Sequence, residues 1–273
     1  MKIDKIFVTD FDGTLAGNKG IISHNSFHAL NRLGEIGVVR VIATGRSLFS
    51  LQTIVGNELP VDYIVFSSGI GIYDWNKKTL LQENKIGEED TKAIYDYLLE
   101  HNYDFMVQLP VPNNHFFHHF STGVHNKDFF SRLSYYESFG VNPIDKCPVE
   151  ASQFVIICPE EKDSLAIISN QFNHLKVIKA TSPIDGKSIW IEILPHGVSK
   201  SFGIEYLRKK LKVQKSNIVT VGNDYYDLDM LRYSNLKNSF IVANAPKELI
   251  LEFCEIPSNI DDGVAKLIND LYF

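Results

Sequence analysis

Apolar and polar positions alternate in a way that separates short β-rich runs from helical ones. "KIFVTD" (5–10), "VVRVIATG" (38–45) and "DYIVFSSG" (62–69) each pass from an apolar run into Asp, Thr or Gly. That is the pattern of a buried parallel strand handing over to a loop. Between the first two, "SHNSFHALNRLGEIG" (23–37) puts Phe27, Leu30 and Leu33 on one face, with Ser23 as N-cap and Gly37 as stop. It predicts an amphipathic helix. Strands separated by such helices predict right-handed βαβ units and a parallel sheet.

The same alternation returns near the end of the chain. "SIWIEIL" (188–194), "NIVTVGN" (217–223) and "SFIVAN" (239–244) read as strands. "GVSKSFGIEYLRKKL" (197–211), "YDLDMLRYS" (226–234), "PKELILEFC" (246–254, with Pro246 in its first turn) and "DDGVAKLINDLYF" (261–273) read as helices. The middle differs. A helix "EEDTKAIYDYLLEH" is followed by "DFMVQL" and "HFFHHF", expected as adjacent antiparallel strands. A helix around 127–138, a strand "FVIIC", a helix "EKDSLAIISNQF" and a strand "LKVIKA" come next. The expected fold class is therefore α/β: a Rossmann-like parallel-sheet core, 1–82 and 188–273, with an α+β unit inserted at 83–187.

Composition narrows the functional class. With 273 residues, 44% hydrophobic and 22% charged, the chain suits one large or two modest globular domains. Its apolar runs are too short to cross a bilayer, and "MKIDKIFVTD" lacks a signal peptide's apolar core. Cys147, Cys158 and Cys254 are odd in number and show no metal-ligand spacing. Reduced thiols in a cytoplasm are the expectation. A net charge of −6 with no Lys/Arg block argues against a nucleic-acid partner. Nothing implies a membrane or an obligate protein partner.

Ligands of a parallel α/β sheet gather at the carboxyl ends of its strands. Those ends offer Asp10-Phe11-Asp12-Gly13-Thr14, then Thr44-Gly45-Arg46, and later Gly222-Asn223-Asp224-Tyr225-Tyr226-Asp227, with Lys200 at a helix start. Two carboxylates one residue apart repel, and a turn needs only one Asp. A positive charge between them resolves this, and Mg²⁺ takes oxygen ligands shared with phosphate. "NNHFFHHF" (113–120) brings His115, His118 and His119 close, but in a strand His118 points away from the other two. A mixed polar and aromatic strand fits that stretch better than a metal site.

In order and spacing, "DFDGTLA", "ATGR", "HGVSK" and "GNDYYD" resemble the motifs of the haloacid dehalogenase superfamily, in particular its Cof-type sugar-phosphate phosphatases. "SSGIGIYD", "ANAPKE" and "DDGVAKLI" extend the resemblance over nearly the whole chain. The resemblance implies a Mg²⁺-dependent phosphatase acting on a small phosphorylated metabolite through an aspartyl phosphate. Asp10 would be the nucleophile and Asp12 the proton donor and acceptor. Thr44, Gly45 and Lys200 would bind the phosphoryl group. Asp10, Asp12 (through its backbone carbonyl), Asn223 and Asp224 would hold the metal, with Asp227 as ligand or positioning group and Arg46 as a candidate substrate contact. The family mostly has Asp where this chain has Asn223, and Asn where it has Tyr226; Ser68 stands where Asn is frequent. The inserted segment implies a cap that moves on linkers near 81–87 and 183–188 and carries substrate specificity. A phosphomutase on the same fold and a non-catalytic phosphometabolite sensor remain the other readings.

Overall fold

Ile6–Thr9 (β1) is buried at every position and sits between two parallel neighbours, which explains why its sequence is continuously apolar. The computed structural model describes residues 4–56, 58–124, 126–137, 142–158, 163–181 and 188–273. These fall into two units, 1–82 with 199–273, and 83–198.

The first unit is built on an eight-stranded sheet. Beyond β1, its strands are Val39–Ala43 (β2), Tyr63–Phe66 (β3), Gly71–Asp74 (β4), Thr79–Glu83 (β5), Ile218–Gly222 (β12), Ser239–Val242 (β13) and Cys254–Ile256 (β14), in the order β14-β13-β12-β1-β2-β3-β4-β5. From β14 to β3 all pairings are parallel, while β4 runs antiparallel to β3. The strand order reverses at β1, whose carboxyl end pairs Thr9 with Val221 on one side and Ile42 on the other. The loops after β1, β2 and β12 therefore leave the same edge side by side, at the topological switch point.

Helices His24–Glu35 (α1) and Gly263–Tyr272 (α9) pack on each other, joined by Arg32 Nη1–H donating to Asn269 at 2.9 Å. Ser23 caps α1, its hydroxyl accepting the Ser26 N–H at 3.0 Å. Lys200–Leu211 (α6) starts against the end of β3. There Gly69, at φ +97°, lets its backbone meet that of Ser199, since a Cβ would lie 2.1 Å from the Ser199 carbonyl oxygen. Side-chain-free backbone at Gly69 thus fixes where Lys200 begins its helix.

The second unit has a six-stranded sheet of its own. Its strands are Phe105–Gln108 (β6), Phe117–Phe120 (β7), Asn142–Pro143 (β8), Gln153–Cys158 (β9), Lys176–Thr181 (β10) and Ile189–Leu194 (β11), ordered β10-β11-β9-β6-β7-β8. Glu88–Glu100 (α3) and Ser164–Gln171 (α5) bury Ile94, Leu98 and Ile168 with Phe105, Val107, Phe154, Ile156, Ile191 and Ile193 on one face. On the other face Phe129 of Lys127–Tyr136 (α4) joins Met106, Phe117, Val155, Ile157 and Trp190.

The expected antiparallel pairing of "DFMVQL" with "HFFHHF" is present as β6 and β7. One strand changes sides. "SIWIEIL", expected at the re-entry into the parallel core, is β11 and pairs antiparallel with β9 and β10. Its burial is high at Trp190, Ile191, Ile193 and Leu194, so both its faces are covered, and periodicity alone resembles that of a core strand. The helix expected over 246–254 shrinks to Lys247–Ile250 (α8) and ends in strand β14. Leu48–Val55 (α2), β4 and β5 were not anticipated. Of the two expected linkers, Gly87 is the N-cap of α3, while Pro183 and Gly186 lie outside the described residues.

Candidate active site

Asp10 ends β1, its N–H donating to the Val221 carbonyl at 2.9 Å, so the first motif is tied directly to the strand that carries the last. Its carboxylate is buried, at 5% exposure. Lys200 Nζ donates to Asp10 Oδ1 and to Asp227 Oδ1, both at 2.6 Å, from the first turn of α6. Asp227 Oδ2 also accepts the N–H groups of Asn223 (2.8 Å) and Asp224 (3.2 Å). Both Asp227 oxygens are thus engaged, and its position is that of a bracket for Lys200 and for the last-motif loop.

Two carboxylates share one ammonium in a buried space, and the charge does not balance. Burial pushes the Asp10 carboxyl up, and Asp227 adds to this; Lys200 offsets only part, leaving it raised from 3.8 to about 7. Burial lowers the Lys200 ammonium, but Asp10 and Asp227 more than compensate and hold it above the ordinary lysine range. Asp227 has two backbone amides besides Lys200, whereas Lys200 is the one side chain that donates to the Asp10 carboxylate among the described residues.

Asp12, at the rim, points elsewhere. Arg46 Nε and Nη2 donate to its two oxygens at 2.6 and 2.7 Å, and Arg46 Nη1 donates to Ser50 Oγ at 3.2 Å. The structure thus places Arg46, the candidate substrate contact, on Asp12. Thr44 is almost fully buried, and its Oγ1 accepts the Arg46 N–H at 3.1 Å. Its hydroxyl hydrogen has no acceptor among the described residues, nor do the N–H groups of Gly45 and Asp12. These donors follow the adjacent parallel strands β1 and β2, and donors of this kind suit phosphoryl oxygens. A Cβ at Gly45 would meet only Ser68 Oγ at 3.7 Å, so space does not demand a glycine there.

The last-motif residues interlock with the first. Asn223 Oδ1 accepts the Thr14 hydroxyl at 3.0 Å, and a Cβ at Gly13 (φ +75°) would lie 2.6 Å from Asn223 Nδ2. Gly13 is required twice, by its left-handed backbone and by Asn223. Asp224 is exposed and caps the turn Tyr225–Asp227, its Oδ1 accepting the Tyr225 N–H at 2.5 Å. Among the metal-ligand candidates, Asp10, the Asp12 carbonyl, Asn223 and Asp224 retain oxygen lone pairs not spent in these bonds.

Some residues of the site carried no recognised signal. Asn244 Nδ2 donates to the Gly13 carbonyl at 2.9 Å, and Asn259 Nδ2 donates to that of Ala16 at 3.1 Å. The Asn259 N–H in turn binds Asn244 Oδ1 at 3.0 Å, so two asparagines brace the first-motif loop from behind. The turn after β3 is also unusual: Ser67 and Ser68 both adopt positive φ, and the Ser68 N–H donates to the Thr44 carbonyl at 3.0 Å. Non-glycine residues in that region cost on the order of 1 kcal/mol each, a strain that tends to persist at functional turns. Asn244 lies in the stretch "ANAPKE", so its position was visible though its role was not.

The fold resembles solved structures along its full length. A haloacid dehalogenase-like hydrolase from Bacteroides thetaiotaomicron superposes with a TM-score of 0.77 at 18% identity, covering 98% of this chain and 100% of that one. A Thermotoga maritima protein gives 0.79 at 20% identity, covering 99% and 98%. Two Bacillus subtilis (strain 168) proteins, each named 5-amino-6-(5-phospho-D-ribitylamino)uracil phosphatase, are similar in sequence. One is 25% identical with 98% of both chains covered, and the other 22% identical over 97% of this chain and 94% of its own. The profile of the haloacid dehalogenase-like hydrolases matches residues 7–268. The resemblance read from the motifs is borne out, and the chain belongs to the haloacid dehalogenase-like hydrolase family.

Proposed function

We propose that this chain is a phosphatase that hydrolyses a small phosphorylated metabolite, sugar phosphate-like, with Mg²⁺ as cofactor. The observation that carries the proposal is the buried, under-neutralised Asp10 carboxylate, shared through Lys200 with Asp227 and flanked by free donors. A structural ion pair would not leave an acid of this kind with its charge uncompensated; a nucleophile awaiting a cationic, phosphate-bearing ligand would.

Asp10 forms a bond to phosphorus as the bond from phosphorus to the leaving oxygen breaks, and Asp12 gives its proton to that oxygen. Water then attacks phosphorus, Asp12 takes the water's proton, and the Asp10 carboxylate is regenerated with release of phosphate. Thr44 and the Gly45 N–H hold phosphoryl oxygens, and Lys200 keeps Asp10 oriented. For Asp12 to act, Arg46 must let it go. The phosphoryl group is a competing bidentate acceptor for the same guanidinium.

The donor set fits Mg²⁺: Asp10, the Asp12 carbonyl, and Asn223 or Asp224 are all oxygen ligands, and the surplus charge at Asp10 favours a divalent cation. Bound there, the ion would neutralise the phosphoryl charge. Asp227, already accepting three hydrogen bonds, is read here as a positioning group for Lys200 and the last-motif loop. The Bacillus subtilis relatives, named for a phosphoribitylamino compound, support a phosphate ester on a polyol chain as the first substrate to assay. We assign substrate selectivity to the inserted unit and the protein to the cytoplasm. Among the described residues the cysteines are free, and no helix is long and apolar enough to cross a membrane.

The test is phosphate release from a panel of phosphorylated sugars, polyols and nucleotides, with and without Mg²⁺ and with no bisphosphate activator. Metal-dependent release supports the proposal. Turnover only with a bisphosphate present would make the protein a mutase, and binding without turnover would make it a sensor.

A further inference from the structure

Helix α1 opens with "HNSFH", which sets His24 and His28 one turn apart on the same face. Both are exposed, with ring centroids 6.4 Å apart and planes within 15° of parallel. Among the described residues neither ring makes a hydrogen bond or ion pair, so the nitrogens of both are open to a ligand. Other histidines are spoken for. His101 Nδ1 donates to the Tyr97 carbonyl, His196 Nδ1 to the His174 carbonyl and His174 Nε2 to Asp90 Oδ1, each at 2.9 Å.

The backbone that carries the pair is fixed. Ser26, Ala29, Leu30 and Leu33 bury the opposite face of α1. Ser23 caps its start, and Asn25 Nδ2 donates at 2.6 Å to Asp262 Oδ2, at the start of α9. Two imidazoles on one tetrahedral zinc ion, with Zn–N near 2.0–2.1 Å, hold their ring centroids about 5 Å apart. The separation seen here is wider by only about an ångström, a gap that exposed side chains close by small χ rotations on a fixed helix. A cation near a helix N-terminus meets an unfavourable dipole. Asp262 offsets it: bonds from Ser23 and Asn25 at the same helix end hold its carboxyl below the ordinary range.

We propose that His24 and His28 form a bidentate site for a borderline divalent metal ion of the zinc type, with water in the remaining positions. Imidazole nitrogen suits zinc, copper and nickel, whereas magnesium takes oxygen. The pair is therefore a different site, for a different class of ion, from the oxygen donors that follow β1 and β12. Each ring gives one nitrogen lone pair to the ion, so both are neutral in the complex and any proton held there is released. The ion fastens the first two turns of α1 to each other. Because that spacing exists only in the helix, binding favours the folded chain. The proposal makes no use of the phosphatase reading.

The experiment is calorimetric titration of the full-length protein with Zn²⁺ at neutral pH, in excess Mg²⁺ to keep the oxygen donors near Asp10 occupied. Saturable binding is expected, with a rise in melting temperature. His24→Ala and His28→Ala should each weaken Zn²⁺ by about 10²-fold, the gain lost when the second ligand is no longer held beside the first. Both should also lose the rise in melting temperature. Alanine favours helix, and melting without Zn²⁺ checks that each variant keeps the fold. His174→Ala removes the histidine paired with Asp90 and should bind Zn²⁺ as the unaltered protein does. Absence of saturable binding overturns the proposal. So does affinity unchanged in either His24→Ala or His28→Ala, or lost in His174→Ala, where the ion would sit with Asp90. No arm reads phosphate release, so failure here leaves the phosphatase reading untouched, and failure of that reading leaves this site standing.

Discussion

Replacing Asp10 by Asn should make the metal-free protein more stable, and the gain should depend on pH. Burial and the neighbouring Asp227 raise the Asp10 carboxyl from 3.8 to about 7. A group whose folded pKa lies above its unfolded one costs stability wherever the folded chain must ionise it. Below about pH 4 the acid is protonated in both states and costs nothing. Between that point and pH 7 the unfolded chain has ionised and the folded one has not, so the cost grows. Above 7 it is complete, at about 4 kcal/mol for a shift of this size. Asn retains an oxygen for Lys200 and removes the charge, while Lys200 stays paired with Asp227 at 2.6 Å. That cost already contains the attraction of Lys200 for the Asp10 charge, so a net gain of up to about 4 kcal/mol at pH 8 is expected. For a chain of this size that raises the melting temperature by several degrees, about 2–4 °C per kcal/mol. The assay is thermal unfolding of both proteins with chelator across pH 4 to 8, repeated with Mg²⁺. The two curves should converge near pH 4 and separate as pH rises, and Mg²⁺ should stabilise only the protein that keeps Asp10. A variant that is less stable at pH 8, or a gain that does not vary with pH, would refute the charge imbalance from which the site is argued.

The same variant should lose turnover by at least ~10³-fold, the scale of removing a covalent nucleophile, as measured by steady-state phosphate release. Lys200→Met leaves Asp10 and Asp227 facing each other without a cation, so it should destabilise by about 3–5 kcal/mol in chemical denaturation at pH 8. That loss should shrink at lower pH, where Asp10 is protonated; a loss constant with pH counts against it. Arg46→Ala breaks an exposed pair and should cost at most about 1 kcal/mol, with any larger loss showing that the pair holds the loop together. Asn223→Asp adds a carboxylate to the ligand set and should tighten Mg²⁺ in a calorimetric titration, while Asp224→Ala should weaken it. Unchanged affinity in both would move the ion elsewhere.

The parallel core was legible because each of its central strands is short, apolar and closed by a polar residue. β1, β2, β3 and β12 announced themselves in this way, as did the Ser23 cap of α1. β14 was hidden because three residues, Cys254–Ile256, carry no period, and they follow an apolar stretch that helical spacing fits as well. α2 was missed because "LFSLQTIV" is apolar on most sides, and its clearest signal, the Ser47 cap, is a single residue. β11 shows what periodicity cannot do. Its sequence identifies a buried strand, but which sheet it joins depends on partners some thirty residues away.

In the site, residue types were readable and their pairings were not. Asp10, Asp12, Thr44, Lys200 and Asp227 stand out in the sequence because acids, hydroxyls and a lysine recur where strands end. Nothing in spacing distinguishes Asp227, locked by Lys200 and two amides, from Asp224, exposed and capping a turn three residues earlier. Hydrogen bonding separates the two, since Asp227 already accepts three bonds from Lys200 and its own loop while Asp224 lies exposed. The same reasoning separates Arg46 from Arg132. Arg46 was conspicuous in its motif, and it is fully engaged by Asp12 and Ser50. Arg132 lies in an ordinary amphipathic helix that drew no attention, and its guanidinium lies over the Trp190 ring with Nε unpartnered among the described residues.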